Sequence, residues 1–566
     1  MQIEFSNFSF QYKSLDKPTL KNINLKIEKG EKIVIIGASG SGKSTIGRCL
    51  NGLIPHAIKG QCSGSLSIAG KDSRQFEMYH YTELVGTVLQ DTDSQFVGLT
   101  VGEDIAFALE NQCTSTAEMY PVVKSTAQMV ELEALLQRSP QELSGGQKQR
   151  VSLAGILVDD VDILLFDEPL AALDPKSSKK TIEIIDQLHR DAGKTIVIIE
   201  HRLEDVLHRH VDRIILMDNG QIVADMKPDE LLASALLSKH GIREPLYLSA
   251  LKSAGCAINA VDKPSSVNTI PLASYKEKVL DWFNASHVNT IPELQPPLLT
   301  LSELTYSYHG DVNAVDDVSF SVNKGEFVSI LGKNGSGKST LSKLIMGVVE
   351  PDSGKVLLNG EDLAELSIFE RSQRVGVVMQ NPNHMISHHM IFDEVAFGLR
   401  NRGIDETLIN EKVLHILTLC GLKKYRNWPI DALSYGQKKR VTIASILVLE
   451  PELLILDEPT AGQDHRSYTA MLSFIKELNT LLGITVVIIS HDLHLVLEYT
   501  TRSIVLADSK LIADASMTDV FSQPSLLAKA NLATTSLYEL AVNLDISETS
   551  AFMQHFIKIE QTRHLA

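Results

Sequence analysis

The chain has 566 residues, of which 44% are hydrophobic, and a formal net charge of −17. The length and hydrophobic content allow more than one buried core, and the acidic balance argues against a protein whose main task is to bind nucleic acid. No run approaches the ~18 apolar residues of a membrane-spanning helix, no export leader is recognisable, and five scattered cysteines without a C-x-x-C pair favour a reduced cytoplasm over a zinc or iron–sulfur protein.

The first predicted elements are a short strand at residues 3–5, an aromatic residue at Tyr12, and a buried strand at residues 32–36 that enters a glycine-rich loop. The loop fits G-x-x-x-x-G-K-[ST], and a helix-compatible stretch follows it, as a phosphate-binding loop requires. Glycines let backbone N–H groups approach phosphates, and the helix N-terminus favours an anion. The positions that we assign to ATP here are Gly37, Ser39, Gly40, Gly42, Lys43, Ser44 and Thr45.

Further along the chain, an apolar strand at residues 163–166 ends in paired carboxylates. We predict that Asp167 and the Ser44 hydroxyl hold Mg²⁺, and that Glu168 polarises the attacking water as a general base. His201 follows the β-branched run at residues 195–199, and Gln90 follows an earlier strand. Neither residue is informative alone, and the specificity comes from their recurrence.

The whole ordered set of motifs recurs about 290 residues later, so the chain consists of two fused copies of one module. Five residues of the first copy have counterparts in the second: Gln380 for Gln90, Ser434 for Ser144, Asp457 for Asp167, Glu458 for Glu168 and His491 for His201. The second phosphate loop supplies Gly332, Asn334, Gly335, Gly337, Lys338, Ser339 and Thr340. The repeat predicts a first module at residues 1–233, a helical tail and linker at 234–297, a second module at 298–522 and a helical tail at 523–566. The alternation of strands and helices predicts an α/β fold with a mainly parallel sheet in each module.

Residues 143–147, Leu-Ser-Gly-Gly-Gln, resemble the signature of ATP-binding-cassette (ABC) ATPases, and with the other motifs the resemblance covers most of the chain. It implies a P-loop NTPase fold with a helical signature subdomain in each module. It also implies that the two cassettes pair within the chain, each ATP lying between one phosphate loop and the other signature. The signature residues that would clamp the γ-phosphate are Ser144, Gly145, Gly146, Gln147, Ser434, Gly436 and Gln437.

The resemblance also assigns the remaining positions. Tyr12 and Tyr308 would stack on adenine, and Gln90 and Gln380 would contact ATP and complete the Mg²⁺ ligands with Ser44, Asp167, Ser339 and Asp457. Asp174 and Asp464 match the D-loop, and His201 and His491 match the switch histidine that senses the γ-phosphate. The cofactors are therefore ATP and Mg²⁺, and the catalytic residues are Glu168, Glu458, His201 and His491.

The second signature departs from the family pattern, because Tyr435 stands where the first module has Gly145. A side chain there is expected to change the approach to the nucleotide bound on Lys43. Both modules keep their glutamate and histidine, so we expect both sites to hydrolyse ATP at unequal rates.

Several short sequence segments resemble those of the ATPases of energy-coupling factor (ECF) vitamin transporters, including the fused hydroxymethylpyrimidine- or thiamine-type ATPases. The segments that carry this resemblance are residues 51–56, 90–111, 200–204 and 460–464, although Met385 replaces the second glutamine, Gln95. We expect an energy-coupling ATPase on the cytoplasmic face of the membrane, bound to a scaffold and a substrate-binding subunit, driving uptake of a vitamin-like solute or a metal ion. A ribosome-associated double-cassette translation factor and a fused sugar-importer ATPase stay open as alternatives, while no nucleic-acid partner is expected.

Overall fold

The structure is a computed structural model, and it describes residues 1–89, 95–171, 173–285, 295–308, 310, 312–459, 465–490 and 492–565. The chain divides into two compact units. The first consists chiefly of residues 1–279 and the second of residues 280–463 and 467–566.

The first unit alternates strands and helices along most of its length. Its strands are β1 (Ile3–Tyr12), β2 (Leu20–Ile27), β3 (Lys32–Gly37), β4 (Gly60–Ile68), β5 (Lys71–Asp72), β6 (Val85–Val88), β7 (Ile163–Asp167), β8 (Thr195–Ile199), β9 (Arg213–Asp218) and β10 (Gln221–Met226). Its helices are α1 (Lys43–Leu50), α2 (Leu53–His56), α3 (Met78–Leu84), α4 (Val101–Asn111), α5 (Thr116–Met129), α6 (Gly145–Leu157), α7 (Pro175–Ala192), α8 (Leu203–Val206), α9 (Pro228–Ala233), α10 (Leu236–Lys239) and α11 (Leu246–Ser253), and α12 (Lys276–Asn284) follows at the unit boundary.

A six-stranded sheet in the order β10-β9-β3-β8-β7-β6 forms the centre of the first unit. All of its strands are parallel except β10, which pairs antiparallel with β9. The inner strands β3 and β8 are buried along their whole length, which explains their unbroken apolar runs. The carboxyl ends of β3, β7 and β8 therefore meet at one edge, where the phosphate loop, Asp167 and His201 follow.

A second, antiparallel sheet in the order β2-β1-β4-β5 completes the core of the first unit. Alternate residues of β1, such as Ile3, Phe5 and Phe10, join one hydrophobic cluster with Ile33 of β3 and Ile46 of α1. This packing holds the start of α1, and with it the phosphate loop, against the end of β3. The sequence pattern did not predict this sheet.

The second unit repeats the arrangement of the first. Its strands are β11 (Pro297–Ser307), β12 (Asn313–Asn323), β13 (Phe327–Gly332), β14 (Ser353–Leu358), β15 (Glu361–Asp362), β16 (Val375–Val378), β17 (Leu453–Asp457), β18 (Thr485–Ile489), β19 (Arg502–Ala507) and β20 (Lys510–Ser516). Its helices are α13 (Lys338–Met346), α14 (Ile368–Arg374), α15 (Ile391–Asn401), α16 (Glu406–Leu419), α17 (Tyr435–Leu447), α18 (His465–Leu482), α19 (Leu493–Tyr499), α20 (Met517–Phe521), α21 (Pro524–Lys529), α22 (Ser536–Asn543) and α23 (Thr549–Leu565). The sheets are β16-β17-β18-β13-β19-β20 and β12-β11-β14-β15.

Each unit also carries a helical subdomain and a helical tail. Helices α4, α5 and α6 pack together in the first unit, and α15, α16 and α17 do so in the second. In the first tail, the Leu246 N–H donates to the Glu204 carboxylate over 2.9 Å. In the second tail, Gln561 Nε2 donates to the Glu498 carbonyl oxygen over 2.5 Å. Both tails are therefore bonded to the short helix that follows the switch-histidine position, α8 or α19.

These observations confirm the predicted fold class, two tandem α/β phosphate-loop modules with mainly parallel sheets and helical signature subdomains. Within the described part of the chain, no helix combines the length and the apolar character needed to cross a bilayer.

Candidate nucleotide sites

The two phosphate loops have the same backbone geometry. Gly40 and Gly42 have φ values of 77° and 103°, and Gly335 and Gly337 have values of 79° and 99°. This left-handed region favours glycine, and a Cβ on Gly42 would lie 2.8 Å from the Leu20 side chain. The chain can therefore bend tightly enough to turn its N–H groups toward an anion at the start of α1 and of α13.

Each loop lysine is the first residue of its helix and is tethered over the loop. Lys43 Nζ donates to the carbonyl oxygens of Gly37 at 2.7 Å and Ala38 at 3.0 Å. Lys338 makes the matching bonds, both of 2.8 Å, to the carbonyls of Gly332 and Lys333. Ser44 and Ser339 follow directly, so a cation and a hydroxyl stand side by side at each helix start.

The predicted adenine-stacking tyrosines lie beside these helices. The Tyr12 hydroxyl is 3.1 Å from the Thr45 hydroxyl and accepts a hydrogen bond from Arg48. Tyr308 repeats this arrangement, with its hydroxyl 3.4 Å from that of Thr340. The structure therefore brings each tyrosine to its phosphate loop, as an adenine-stacking role requires.

The strand-end aspartates have the chemistry that a divalent cation needs. Burial, reinforced by the neighbouring Glu168, raises the pKa of Asp167 to about 6. One of its carboxylate oxygens has no hydrogen-bond partner in the described part of the chain. Burial also raises the pKa of Asp457, while Lys338 and Lys439 act in the opposite direction. A nearby cation would relieve this destabilised charge, and a carboxylate with a serine hydroxyl is a donor set that suits Mg²⁺.

The predicted general base of the first module is held in a defined position. Glu168 has a φ of 51° and Glu458 a φ of 43°, a rare conformation for residues with a Cβ, and one that marks functional sites. The Glu168 N–H donates to the Ile199 carbonyl at the end of β8. Its carboxylate lies 2.7 Å from His201 Nε2, and both side chains are largely buried. The structure therefore joins two of the predicted catalytic residues directly.

A further buried carboxylate, Glu200, organises the same corner of the first module. It accepts hydrogen bonds from the N–H groups of Leu170 at 3.1 Å, His201 at 2.8 Å and Arg202 at 3.3 Å. Glu200 thus connects the segment after Glu168 to the switch histidine. No role was predicted for it from the sequence, although the repeat places Ser490 at the same position of the second module. This difference between the two copies, glutamate against serine, was the available signal for a role of Glu200.

The signature residues form the first turn of α6 and of α17. Ser144 accepts from the Gln147 N–H and donates its own N–H to the Gln147 side chain over 2.9 Å. Ser434 and Gln437 repeat this capping box. A capping box fixes the helix start, and the first N–H groups of a helix have no partner within the helix itself. The arrangement suits an anion.

Tyr435 has a contact that the sequence did not indicate. Its side chain is 40% exposed, and its hydroxyl donates to the Gln380 carbonyl over 3.3 Å within the second unit. The expectation that it hinders the nucleotide on Lys43 stays a prediction, because the structure describes each unit by itself.

Three predicted site residues, Gln90, Asp464 and His491, lie outside the described residues. Asp174 is described, and its buried carboxylate caps α7 by accepting from the Ser177 N–H over 2.9 Å.

In the segment after β6, the side chain of the second glutamine, Gln95, forms hydrogen bonds with the nearby backbone. Gln95 Oε1 accepts from the Leu89 N–H over 3.0 Å, and its amide donates to the Thr87 carbonyl over 3.2 Å. In the second unit, the Met379 N–H lies 3.1 Å from the Met385 sulfur, so Met385 takes the same place. Among the residues of this region that the structure describes, Val97 and Leu99 expose apolar side chains, at 62% and 81%.

The loop after β16 of the second unit, which contains His384, His388 and His389, borders a cavity. This cavity of about 270 Å³ lies between the loop and the start of the signature segment, and His388, His389, Asp431 and Lys438 are among its lining residues. No cluster of histidine, cysteine or acidic side chains able to hold a metal ion is present in the described ranges.

Comparisons with known proteins extend over the whole chain. A family model described as ABC transporter matches residues 20–171 and 315–461, and one described as ATP-binding cassette cobalt transporter matches residues 234–306. An ABC transporter ATP-binding protein of Vibrio vulnificus (strain CMCP6) is 74% identical, over 100% of this chain and 98% of that protein. Its counterpart in Vibrio parahaemolyticus serotype O3:K6 is 73% identical, over 99% and 97%. The structure of cbiO1 from Clostridium perfringens, described as part of the ABC transporter complex cbiONQ, is 33% identical and covers 42% of this chain and 95% of that one, with a TM-score of 0.39.

Proposed function

Since the chain belongs to the ABC transporter family and is an ATPase, we propose that it is the energy-coupling subunit of an ECF-type importer. It would drive uptake of a vitamin-like solute or a metal ion through separate membrane subunits. The observation that carries this proposal is the match of residues 234–306, which lie largely outside both cassettes, to the ATP-binding cassette cobalt transporter family. The sequence of the switch region, residues 200–204, resembles that of ECF transporter ATPases and supports the same class of transporter.

The described geometry supports a specific division of labour at the first phosphate loop. ATP binding would exchange the carbonyl partners of Lys43 for β- and γ-phosphate oxygens, and Tyr12 would stack on the adenine. Ser44 and Asp167, with Gln90, would hold Mg²⁺, which neutralises phosphate charge when it is bound. Glu168 would accept a proton from the attacking water, and His201 would hold its carboxylate in place.

The second module would use Lys338, Ser339, Asp457, Glu458 and Gln380 in the same roles. Each ATP would be completed by the capped helix start of the other module's signature, with Asp174 and Asp464 in the D-loops between them. Fusion of the modules in one chain supports this pairing, because it gives each cassette a high effective concentration of its partner. ATP would thus close the pair, and hydrolysis would reopen it.

We place the membrane contacts at the segment after β6 and at its counterpart after β16. Val97 and Leu99 expose apolar surface in the first unit, and Met379 is 48% exposed in the second. Exposed apolar groups of this kind mark protein interfaces when they are clustered. The protein would therefore sit on the cytoplasmic face of the membrane through protein contacts.

Co-expression with a multi-span scaffold subunit tests this function. The full chain should fractionate with membranes only when the scaffold is present, and should stay bound in high salt, because apolar contacts are not screened as ionic ones are. Leu99→Asp should weaken this docking, whereas Val261→Asp, at an equally exposed valine of the tail (86%), should not.

Two results would favour the alternatives. Sedimentation with ribosomes that is lost in high salt would support a translation factor. Stimulation by a sugar-importer membrane subunit, and not by an ECF scaffold, would support the fused sugar-importer ATPase.

A further inference from the structure

Two side chains from the first turns of α17 donate hydrogen bonds to the Gln380 segment of the second unit. Lys439 Nζ donates to the Met379 carbonyl over 3.0 Å and also to the Gln380 carbonyl. The Tyr435 hydroxyl donates to the same Gln380 carbonyl over 3.3 Å. Tyr435 and Lys439 are four residues apart, so they lie on one face of the helix. Together they bond the signature helix to the main chain of Gln380.

Lys439 is unusual because lysine is rarely buried, and only 1% of this residue is exposed. A buried ammonium group is costly unless it is paired and hydrogen-bonded. Here the two carbonyl oxygens accept hydrogen bonds from the ammonium group. Burial lowers the pKa of Lys439 to about 8, and the carboxylates of Asp457 and Glu458 act in the opposite direction. The position thus holds a cation that is bonded to the Gln380 segment and lies near enough to the strand-end carboxylates to be affected by their charge.

The first module uses the corresponding positions differently. Gly145 stands in place of Tyr435, and Gln149 in place of Lys439. The Gln149 side-chain amide donates to the Pro169 carbonyl, in the segment that follows Glu168. The signature helix is therefore bonded to the segment after the general base in the first unit, and to the Gln380 segment in the second.

We propose that Lys439, assisted by Tyr435, is a positioning residue that holds Gln380 at the second ATP site. With its carbonyl fixed, Gln380 keeps its side chain directed at the nucleotide, and movements of the signature helix reach the site through this bond. The inference rests on the proposed role of Gln380 in ATP and Mg²⁺ binding. It gives Tyr435 a function inside its own module, beyond its expected effect on the nucleotide at Lys43.

The test is a double-mutant cycle on ATP turnover by the full chain, with variants Lys439→Met, Gln380→Ala and the pair. Lys439→Met should lower kcat by about 10- to 100-fold, the scale expected for loss of positioning. Binding of a fluorescent ATP analogue should change by less than about threefold, since the phosphate loop is untouched. In the Gln380→Ala background the same substitution should have almost no further effect, because the group that it positions is gone. Lys439→Arg, which keeps the donor and the charge, should recover most of the lost turnover.

Two further variants separate positioning from folding. Lys476→Gln removes a partly buried lysine of the second unit, one that packs on Phe327, and serves as the matched control with normal kcat. Tyr435→Phe removes only a hydroxyl from a half-exposed side chain, so it should fold and lower kcat by a smaller factor even where Lys439→Met does not fold. Thermal unfolding of each variant identifies those that are folded.

The outcomes distinguish the inference from the function on which it rests. If Gln380→Ala lowers kcat but Lys439→Met and Tyr435→Phe do not, or if the effects of Lys439→Met and Gln380→Ala simply multiply, the positioning role is wrong and the proposed site stands. If Gln380→Ala leaves kcat unchanged, the assignment of Gln380 fails and the inference fails with it.

Discussion

A buried pair of positions offers a direct test of how the two modules are stabilised. In the first unit, Lys32 at the start of β3 bonds Asp186 of α7 over 2.5 Å, and both side chains are almost fully buried. In the second unit, the repeat places Phe327 and Lys476 at these positions, with the Lys476 ammonium 5.4 Å from the ring centroid. The perturbation is Lys32→Met, compared with the paired exchange Lys32→Phe and Asp186→Lys, which installs the second unit's residues in the first.

The expected magnitudes follow from what each change leaves buried. Lys32→Met leaves the Asp186 carboxylate with Arg190 as its remaining ion-pair partner, and the Arg190 side chain is 67% exposed. Removing one member of a buried ion pair costs about 3–5 kcal/mol, which corresponds to a fall of about 10 °C in the unfolding temperature of a domain of this size. The paired exchange leaves no buried carboxylate at this position and adds a cation–π contact worth about 0.5–2 kcal/mol. It should therefore be the more stable variant.

Calorimetry suits this test, because two units in one chain need not unfold in a single step. Both tryptophans, Trp282 and Trp428, belong to the second unit. The tryptophan fluorescence transition should therefore stay in place while the calorimetric transition of the first unit moves. If Lys32→Met is as stable as the paired exchange, the reasoning about the uncompensated carboxylate is refuted.

Four substitutions at the nucleotide sites are checked by steady-state ATP turnover. Glu458→Gln should lower kcat by ~10²–10⁴-fold, the usual cost of losing a general base, with ATP binding retained. Glu168→Gln should cost less if Tyr435 already weakens its site, and equal residual rates would contradict the unequal-site expectation. His201→Ala frees the Glu168 carboxylate from its 2.7 Å contact and should lower kcat by about 10²-fold; a normal kcat would remove His201 from the mechanism. Tyr12→Ala should raise KM for ATP by about 10-fold through lost stacking while sparing kcat, and an unchanged KM would exclude the adenine contact.

The parts of the site that the sequence predicted are those where nucleotide chemistry dictates residue type and spacing. A phosphate loop needs glycine where φ is positive and a lysine at the helix start, so the residue pattern alone was enough to assign Gly42 and Lys43. Asp167 ends a buried strand and Glu168 follows it, and the topology of a parallel sheet brings such strand ends together. Recurrence in the second module supplied the specificity that Gln380 lacks by itself.

The parts that were missed depend on backbone partners or on distant pairing. Glu200 and Lys439 are held by main-chain groups, namely the Leu170 N–H and the Gln380 carbonyl, and no pattern of residue types indicates such partners. The antiparallel sheet pairs β1 with β4, which lies some way along the chain, and the short lead strand at residues 3–5 gave no sign of that partner. The internal bonds of Gln95 were missed for the same reason, because its side chain bonds the backbone of its own loop.

ATP turnover by the full chain reconstituted in liposomes with the ECF scaffold subunit tests the energy-coupling role most directly. The scaffold should change the turnover rate several-fold, and both the basal and the scaffold-dependent rate should fall with Glu458→Gln. Leu99→Asp should abolish the scaffold-dependent change while leaving the basal rate intact. A turnover rate indifferent to the scaffold but raised by ribosomes would contradict the transport role.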